Sequence, residues 1–294
     1  MKKVALFCNS DKPDAIKYAS YSAGKLIEIG AECFATMDLI ESFSKEVRKF
    51  IKPYPIEEFE RIADVVISFG GDGTMLSAGR LLMKSEIPIM GVNVGKLGFL
   101  AEFSVEELDR SLDDLMKGNY RLIERSVIET TLNNEIIYAI NDLVIEKKNS
   151  SRIITIKVYT NDHHIGDYRV DGLIVTTPTG STAYSLSCGG PVIAPSTQVI
   201  GITPISPHTM TLRPLVIPDT SEIKLCVHSP TNESNLVADG QVTRTLNNKE
   251  SIVIRRSEAN VKLIKPLESS YYDVLRRKLL WATNVVGNEA KLKK

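Results

Sequence analysis

The sequence predicts an α/β N-terminal domain followed by a β-rich, sandwich-like C-terminal domain. Three observations carry this expectation. In the first third of the 294 residues, short apolar runs alternate with amphipathic stretches, the order that builds a parallel sheet flanked by helices. After Tyr120 helical periodicity nearly vanishes, and alternating runs separated by turn residues replace it, as in layered antiparallel sheets. A helical pattern returns at "YYDVLRRKLLW", where Tyr271, Val274, Leu275 and Leu279 share one face that must dock. The expected division is an α/β domain over 1–119, a β-rich domain over 120–265, and a C-terminal helix within 266–294 that returns to the first domain.

Taken in order, "KVALFC" reads as a buried strand, and Ala15 to Ile29, closed by Gly30, reads as a helix. "AECFAT" is strand-like, and the charged stretch from Asp38 to Pro55, with two prolines, reads as loop-rich. "DVVISF", "MLSAGRLLM" and "IPIMGVNV" give strand, helix and strand. "SVEELDRSLDDLMKG" opens with Ser104 and Glu107 in capping-box spacing and ends at Gly118. In the second half, Asn133-Asn134 marks a hairpin turn, and "NDHH" marks another that includes His163 and His164. "EIKLCVH", "NLVADGQ" and "ESIVIRR" read as further strands, and Trp281 reads as a packing residue of the last helix.

Lys+Arg and Asp+Glu are both 36, so the net charge is +0, which argues against charge-driven binding to nucleic acid or to an anionic membrane. The apolar run near the N-terminus, Val4 to Cys8, is too short for a signal peptide, and no apolar stretch is long enough to span a bilayer. Cys8, Cys33, Cys188 and Cys226 form no C-x-x-C pair, which reads as reduced structural thiols in a cytoplasmic protein.

Two segments carry chemistry. "FGGDGTM", Phe69 to Met75, follows a buried strand. Gly70, Gly71 and Gly73 permit positive φ and close approach of a ligand to the backbone, and a helix start after the loop offers N–H groups to phosphate. The segment is neither G-x-x-x-x-G-K-[ST] nor G-x-G-x-x-G. By itself G-D-G also makes a plain turn. Asp72 repels phosphate, so its place in a phosphate loop makes sense if it faces a hydroxyl that attacks the phosphate and takes its proton. The second segment is "DGLIVTTPTGSTAYSLSCGGP", Asp171 to Pro191. Pro178 ends a strand, Ser181 or Thr182 caps a short helix with a hydroxyl-rich N-terminus, and Gly189-Gly190-Pro191 stops it. Tyr184 offers an aromatic face to a base.

"GGDGT", "GKLGFL", "NDLVI", "VDGLIVTTPTGSTAYSLSCGGP", "SPHTMTLRPLV" and "ADGQ" occur in the order found in NAD kinases, and the chain resembles a bacterial member of that family from about Asp64 to Gln241. The first motif is shared with diacylglycerol, sphingosine and phosphofructokinase-like kinases; the "PTGSTAYSLSCGGP" block joined to "SPH…RPLV" is far more specific. The resemblance implies 2′-phosphorylation of the adenosine ribose of NAD⁺ by ATP or another phosphoryl donor, with a divalent metal such as Mg²⁺. It implies that Asp72 is catalytic, with Gly70, Gly71, Gly73 and Thr74 forming the phosphate loop. Phe99 then lines an adenine pocket, and Asn141 and Asp142 contact the dinucleotide, Asp142 standing where many members carry glutamate. Asp171, Thr182, Ala183, Tyr184 and Ser187 match further contacts, and Arg152, Arg169 and Gln241 extend the set. The resemblance also implies a homodimer or homotetramer with a neighbouring subunit completing the NAD pocket; the site itself is expected in the cleft between the two domains, where a ligand can touch both. A related lipid kinase, and a dinucleotide-binding regulator without catalysis, are the alternative readings; the "TGSTAYSLS" block argues against the first and Asp72 against the second.

Overall fold

The computed structural model describes residues 1–9, 11–85, 87–95, 97–148, 152–248 and 250–281. They form two compact units, Met1–Ile123 with the chain from Lys262, and Glu124–Val261.

The first unit is wound around a parallel sheet. Its elements begin β1 (Lys3–Cys8), α1 (Pro13–Glu28), β2 (Glu32–Ala35), α2 (Met37–Glu41), α3 (Lys45–Arg48), β3 (Lys52–Pro53) and α4 (Phe59–Ile62). They continue with β4 (Val65–Gly70), α5 (Asp72–Leu82), β5 (Ile89–Asn93), β6 (Phe103–Ser104) and α6 (Leu108–Lys117). The strand order is β3-β2-β1-β4-β5, all parallel. The chain runs outward from β1 to β3 and then returns with β4 on the other side of β1. The carboxyl ends of β1 and β4 therefore meet at a topological switch point, the usual ligand position in such sheets. Helix α1 lays Ala15, Ala19, Ala23 and Leu26 on the core, joined there by Leu108, Leu112 and Leu115 of α6. The small alanines allow close approach of helix to sheet, and the leucines fill the gaps.

Two expectations for this unit change. The stretch from Asp38 to Pro55 is not mainly loop: it holds α2, α3 and β3, with Leu39, Ile40, Phe43 and Ile51 buried. The capping box does not form. Ser104 belongs to β6 and is paired with Asn93 of β5, so α6 starts at Leu108 with Glu107 as a cap that makes no side-chain bond. Sheet pairing outcompetes the local cap.

The second unit holds β7 (Arg121–Leu132) from Glu124 onward, then β8 (Glu135–Ala139), β9 (Asp142–Lys147), β10 (Ile154–Thr160), β11 (His163–Val170) and β12 (Gly172–Thr176). After them come the one-turn helix α7 (Tyr184–Ser187), β13 (Val199–Ile205), β14 (Leu215–Pro218), β15 (Ile223–His228), β16 (Glu233–Ala238), β17 (Val242–Asn247) and β18 (Ser251–Lys265), which passes into the first unit at Lys262. One sheet runs β14-β13-β12-β9-β16-β17 and is antiparallel throughout. The other contains β11-β10-β15-β18, with β7 beside β18 and β8 beside β7. Ile156, Leu225 and Ile252 of this sheet and Leu143, Leu173, Ile202 and Leu236 of its counterpart belong to one buried apolar cluster, the core of a sandwich.

The β7–β8 hairpin turns at Asn133 and Asn134, with φ of 51° and 63°, a two-residue turn in which both residues are left-handed. Replacing Asn134 by Val should destabilise the chain by about 1–2 kcal/mol, because a β-branched side chain resists that conformation; urea unfolding of the two proteins checks this. The next hairpin turns at Asn161-Asp162, φ 47° and 66°, so His163 and His164 open β11 rather than lie in the turn as expected. Beyond β18 the chain forms α8 (Tyr271–Leu279) in the first unit. Val274 and Leu275 are its buried contacts, while Trp281 is 49% exposed and is not the packing residue expected. Residues 282–294, the rest of the predicted C-terminal segment, lie outside the described residues. Among the described residues no helix is long and apolar enough to cross a membrane.

Candidate active site

At the carboxyl end of β4 the chain passes through Gly70 and Gly71 directly into α5, whose first residue is Asp72. The helix thus starts earlier than its apolar pattern suggests, and Asp72 sits in its first turn, where the helix dipole favours a negative charge. Gly70 has φ of 157°, a conformation that L side chains rarely adopt, whereas Gly71 is extended and Gly73 is helical, so positive φ calls for glycine at one of the three positions. Space adds a second reason. A Cβ on Gly70 would lie 2.2 Å from Thr74 Oγ1, whereas one on Gly71 would meet nothing within 4 Å.

The Asp72 carboxylate is held from several sides. Its Oδ2 accepts the Phe99 N–H at 2.8 Å and a hydrogen from Lys278 Nζ at 3.1 Å; its Oδ1 accepts the Leu100 and Ala101 N–H groups at 2.9 and 3.2 Å. Burial alone would push this carboxyl up. The Phe99 N–H, the Lys278 ammonium, and the Leu100 and Ala101 N–H groups together outweigh burial and hold its pKa below the ordinary value. The loop that donates these hydrogens is shaped for the purpose: a Cβ on Gly98 would fall 2.1 Å from Asp72 Oδ1. Gly98→Ala should therefore cost roughly 1–3 kcal/mol of stability, as crowding of a packed site does, measured as a shift of the denaturant midpoint. Phe99 lies above this carboxylate loop, its ring 6.5 Å from that of Tyr271.

The second unit contributes a cavity of about 300 Å³ lined by Asn141, Asp142, Val144, Glu146, Ala183, Tyr184, Val237, Asp239 and Gly240. Asn141 stands between β8 and β9, and its conformation is fixed by neighbours. Its carbonyl accepts the Thr177 N–H at 2.8 Å and the Thr176 hydroxyl at 3.1 Å, and Gly180 packs so close that a Cβ there would lie 2.2 Å from it. The Asp239 carboxylate accepts the N–H groups of Ile140, Asn141 and Asp142 at 3.2, 2.7 and 3.3 Å. Asp142 is buried beside it. Burial, and then the charge of Asp239, push the Asp142 carboxyl up to about 7.

The structure thus gathers Asn141, Asp142, Ala183 and Tyr184 at one cavity. Thr182, Ser187, Asp171, Arg152, Arg169 and Gln241 are not among its lining residues. Asp171 joins β11 to β12 and pairs with Lys147 Nζ at 2.7 Å. Arg169 is exposed on β11 opposite Thr155, and Arg152 is exposed two residues before β10. Gln241 follows the cavity residue Gly240 and donates its N–H to the Ala238 carbonyl. The expected hydroxyl cap is absent: a 3₁₀ turn, Gly180–Thr182, precedes α7, and Ala183 caps it without a side-chain bond. The hydroxyls turn inward instead, Ser181 to the carbonyls of Pro178 and Ile193 and Thr182 to that of Thr179.

Three residues escaped the sequence reading. Asp239 lies in "ADGQ", where an acid in a turn carries no sign that it clamps a distant segment. Lys278 reaches Asp72 across 206 positions of sequence. Asn93 ends β5 beside Gly70, is buried, and its Oδ1 accepts no hydrogen from the described residues; a polar residue closing the apolar run "IPIMGVN" was the available signal.

A glycine loop and a clamped carboxylate at the switch point of a parallel sheet suit one class of protein, an enzyme that handles a phosphorylated ligand. Comparison with known proteins specifies which. A family model for the ATP-NAD kinase N-terminal domain matches residues 4–120, and one for the ATP-NAD kinase C-terminal domain matches residues 140–266. The NAD kinase of Bacteroides fragilis is 36% identical over 287 residues, covering 96% of this chain and 99% of that protein. That of Chlorobium limicola is 38% identical over 283 residues, covering 95% and 96%. The chain belongs to the NAD kinase family. Solved structures share the fold: yeast NADH kinase complexed with NADH superposes with a TM-score of 0.87 at 21% identity, covering 96% of this chain and 89% of that one. An Archaeoglobus fulgidus NAD kinase in complex with ATP gives 0.77 at 23%, covering 95% and 98%.

Proposed function

We propose that the chain transfers the γ-phosphoryl group of ATP to the 2′-hydroxyl of the adenosine ribose of NAD⁺, giving NADP⁺ and ADP. The observation that carries this reading is the Asp72 carboxylate, fixed by three backbone N–H groups at the start of α5. The ribose oxygen forms a bond to the γ-phosphorus while the bond from that phosphorus to the bridging oxygen breaks. ADP leaves with the electron pair, and the hydroxyl proton passes to Asp72. The lowered pKa keeps Asp72 ionised at neutral pH and makes it a weak base. A weak base suffices, because the transition state is loose and the nucleophile loses its proton late. Gly70, Gly71, Gly73 and Thr74 receive the donor phosphates, Phe99 supports the adenine, and Asn141, Asp142 and Tyr184 bind ribose and base. Thr182, Ala183, Ser187, Asp171, Arg152, Arg169 and Gln241 complete or support the dinucleotide contacts.

Among the described residues no three His, Cys, Asp or Glu side chains are gathered for a metal ion. These residues do not form a resident metal cage. A divalent ion such as Mg²⁺ would be held chiefly by the phosphates of the donor and would supply neutralisation of their charge. Free cysteines at 8, 33, 188 and 226 support a reducing, cytoplasmic setting, and the family supports a homodimer or homotetramer.

The test is transfer of labelled phosphate from ATP to NAD⁺ and to its analogue lacking the adenosine 2′-hydroxyl. NAD⁺ should be labelled and the analogue should only inhibit. Equal labelling of both would move the acceptor elsewhere.

A further inference from the structure

Phosphoryl transfer concentrates negative charge on the group in flight, and enzymes meet it with a fixed cation. The segment Gly70 to Thr74 contains no basic residue. The structure supplies one from the far end of the chain. Lys278 Nζ stands 3.1 Å from Asp72 Oδ2 and 4.7 Å from the centre of the Phe99 ring. Its position is set by how α8 docks. Ser270 caps the helix by accepting the Tyr272 N–H, and Val274 and Leu275 bury its inner face. Tyr271 lies against Phe99.

We propose that Lys278 is a catalytic residue of the phosphoryl transfer, its ammonium contacting the transferred group while Asp72 addresses the attacking hydroxyl. This rests on the phosphotransferase reading above. The division of labour follows from the hydrogen bonds. Asp72 keeps the Phe99, Leu100 and Ala101 N–H groups when Lys278 turns away, so the lysine can swing to a phosphate oxygen without unseating the carboxylate. An ammonium carries three donors on a flexible four-carbon arm, enough to bridge Asp72 and a phosphoryl oxygen at once. The side chain is 32% exposed, so a ligand can reach it. Phe99 is the second anchor: its ring face holds the cation in place until substrate arrives.

The experiment compares Lys278→Met, Lys278→Arg and Lys278→Ala with the parent protein, with NAD⁺ and Mg²⁺-ATP saturating. Lys278→Met should lower kcat ~10²–10³-fold, the scale of removing a preorganised cation or donor from a transition state, with KM for NAD⁺ changed less than about threefold. Lys278→Arg should keep more activity than Lys278→Met. Ethylammonium added to Lys278→Ala should restore roughly tenfold of the lost rate, which a structural lysine would not permit. The amine result decides the matter if Lys278→Met proves unstable. A kcat for Lys278→Met within threefold of the parent, or above it, overturns the proposal; a rise would make Lys278 a plug that substrate must displace. A loss confined to KM for NAD⁺ also overturns it. If the parent itself yields no NADP⁺, the kinase reading has failed, an outcome distinct from an active parent indifferent to Lys278.

Discussion

The Asp72→Asn protein is expected to bind NAD⁺ and to lose turnover by ~10²–10⁴-fold, the range for removal of a positioned base. The amide keeps the shape of the carboxylate but not its acceptors. One of its two polar atoms is an NH₂, which faces either the Phe99 N–H at 2.8 Å or the Leu100 and Ala101 N–H groups at 2.9 and 3.2 Å. That mismatch leaves at least one backbone donor unsatisfied, at a cost of roughly 1–3 kcal/mol. A lower unfolding midpoint should therefore accompany the kinetic loss. The cavity lined by Asn141, Asp142 and Tyr184 is built by the second unit and Asp72 belongs to the first, so dinucleotide binding measured by calorimetry should persist. Full turnover in Asp72→Asn would remove Asp72 from the chemistry.

The second large effect concerns the paired acids of the second unit. Asp142 is 4% exposed, and its carboxyl rises from an ordinary 3.8 to about 7. The folded chain therefore holds this proton more tightly than the unfolded chain does. The associated stability is fully present below pH ~4 and is lost as pH rises through about 7. A shift of this size corresponds to something on the order of 4 kcal/mol. Asp72 acts with the opposite sign: its lowered pKa gives stability that is lost on acidification. The informative quantity is thus a difference between proteins. Asp142→Asn, which cannot ionise, should gain stability relative to the parent between pH 5 and pH 8. Urea unfolding at the two pH values measures this, and a difference that does not change with pH would mean that Asp142 is ionised throughout.

The residues that could be read from sequence are those whose role is local. Asp72 stood out because a charged residue between glycines at the end of a buried strand has few uses. Asn141-Asp142 and the "PTGSTAYSLS" segment stood out as contiguous motifs, and the alternation of strands and helices was enough for the α/β and β-rich halves. What escaped depends on closure of the chain. Ser104 looks like a helix cap until β5 claims it through Asn93. Asp239 looks like a turn residue until its carboxylate is seen to hold three N–H groups nearly a hundred positions away. Lys278 lies in "RRKLL", where adjacent basic residues are indistinguishable by pattern; only the docking of α8 aims one of them at Asp72. Of the glycines of "GGDGT", Gly70 has the positive φ expected of the loop, Gly71 has open space above it, and the crowding of Gly70 by Thr74 could not be read from sequence.

This chain is expected to make NADP⁺ from NAD⁺. The most direct measurement mixes the purified protein with NAD⁺ and Mg²⁺-ATP and follows NADP⁺ through an NADP-specific dehydrogenase. NADP⁺ should accumulate in proportion to enzyme, and its formation should stop when ATP is withheld. No NADP⁺ with ATP, with other nucleoside triphosphates or with polyphosphate would contradict that expectation.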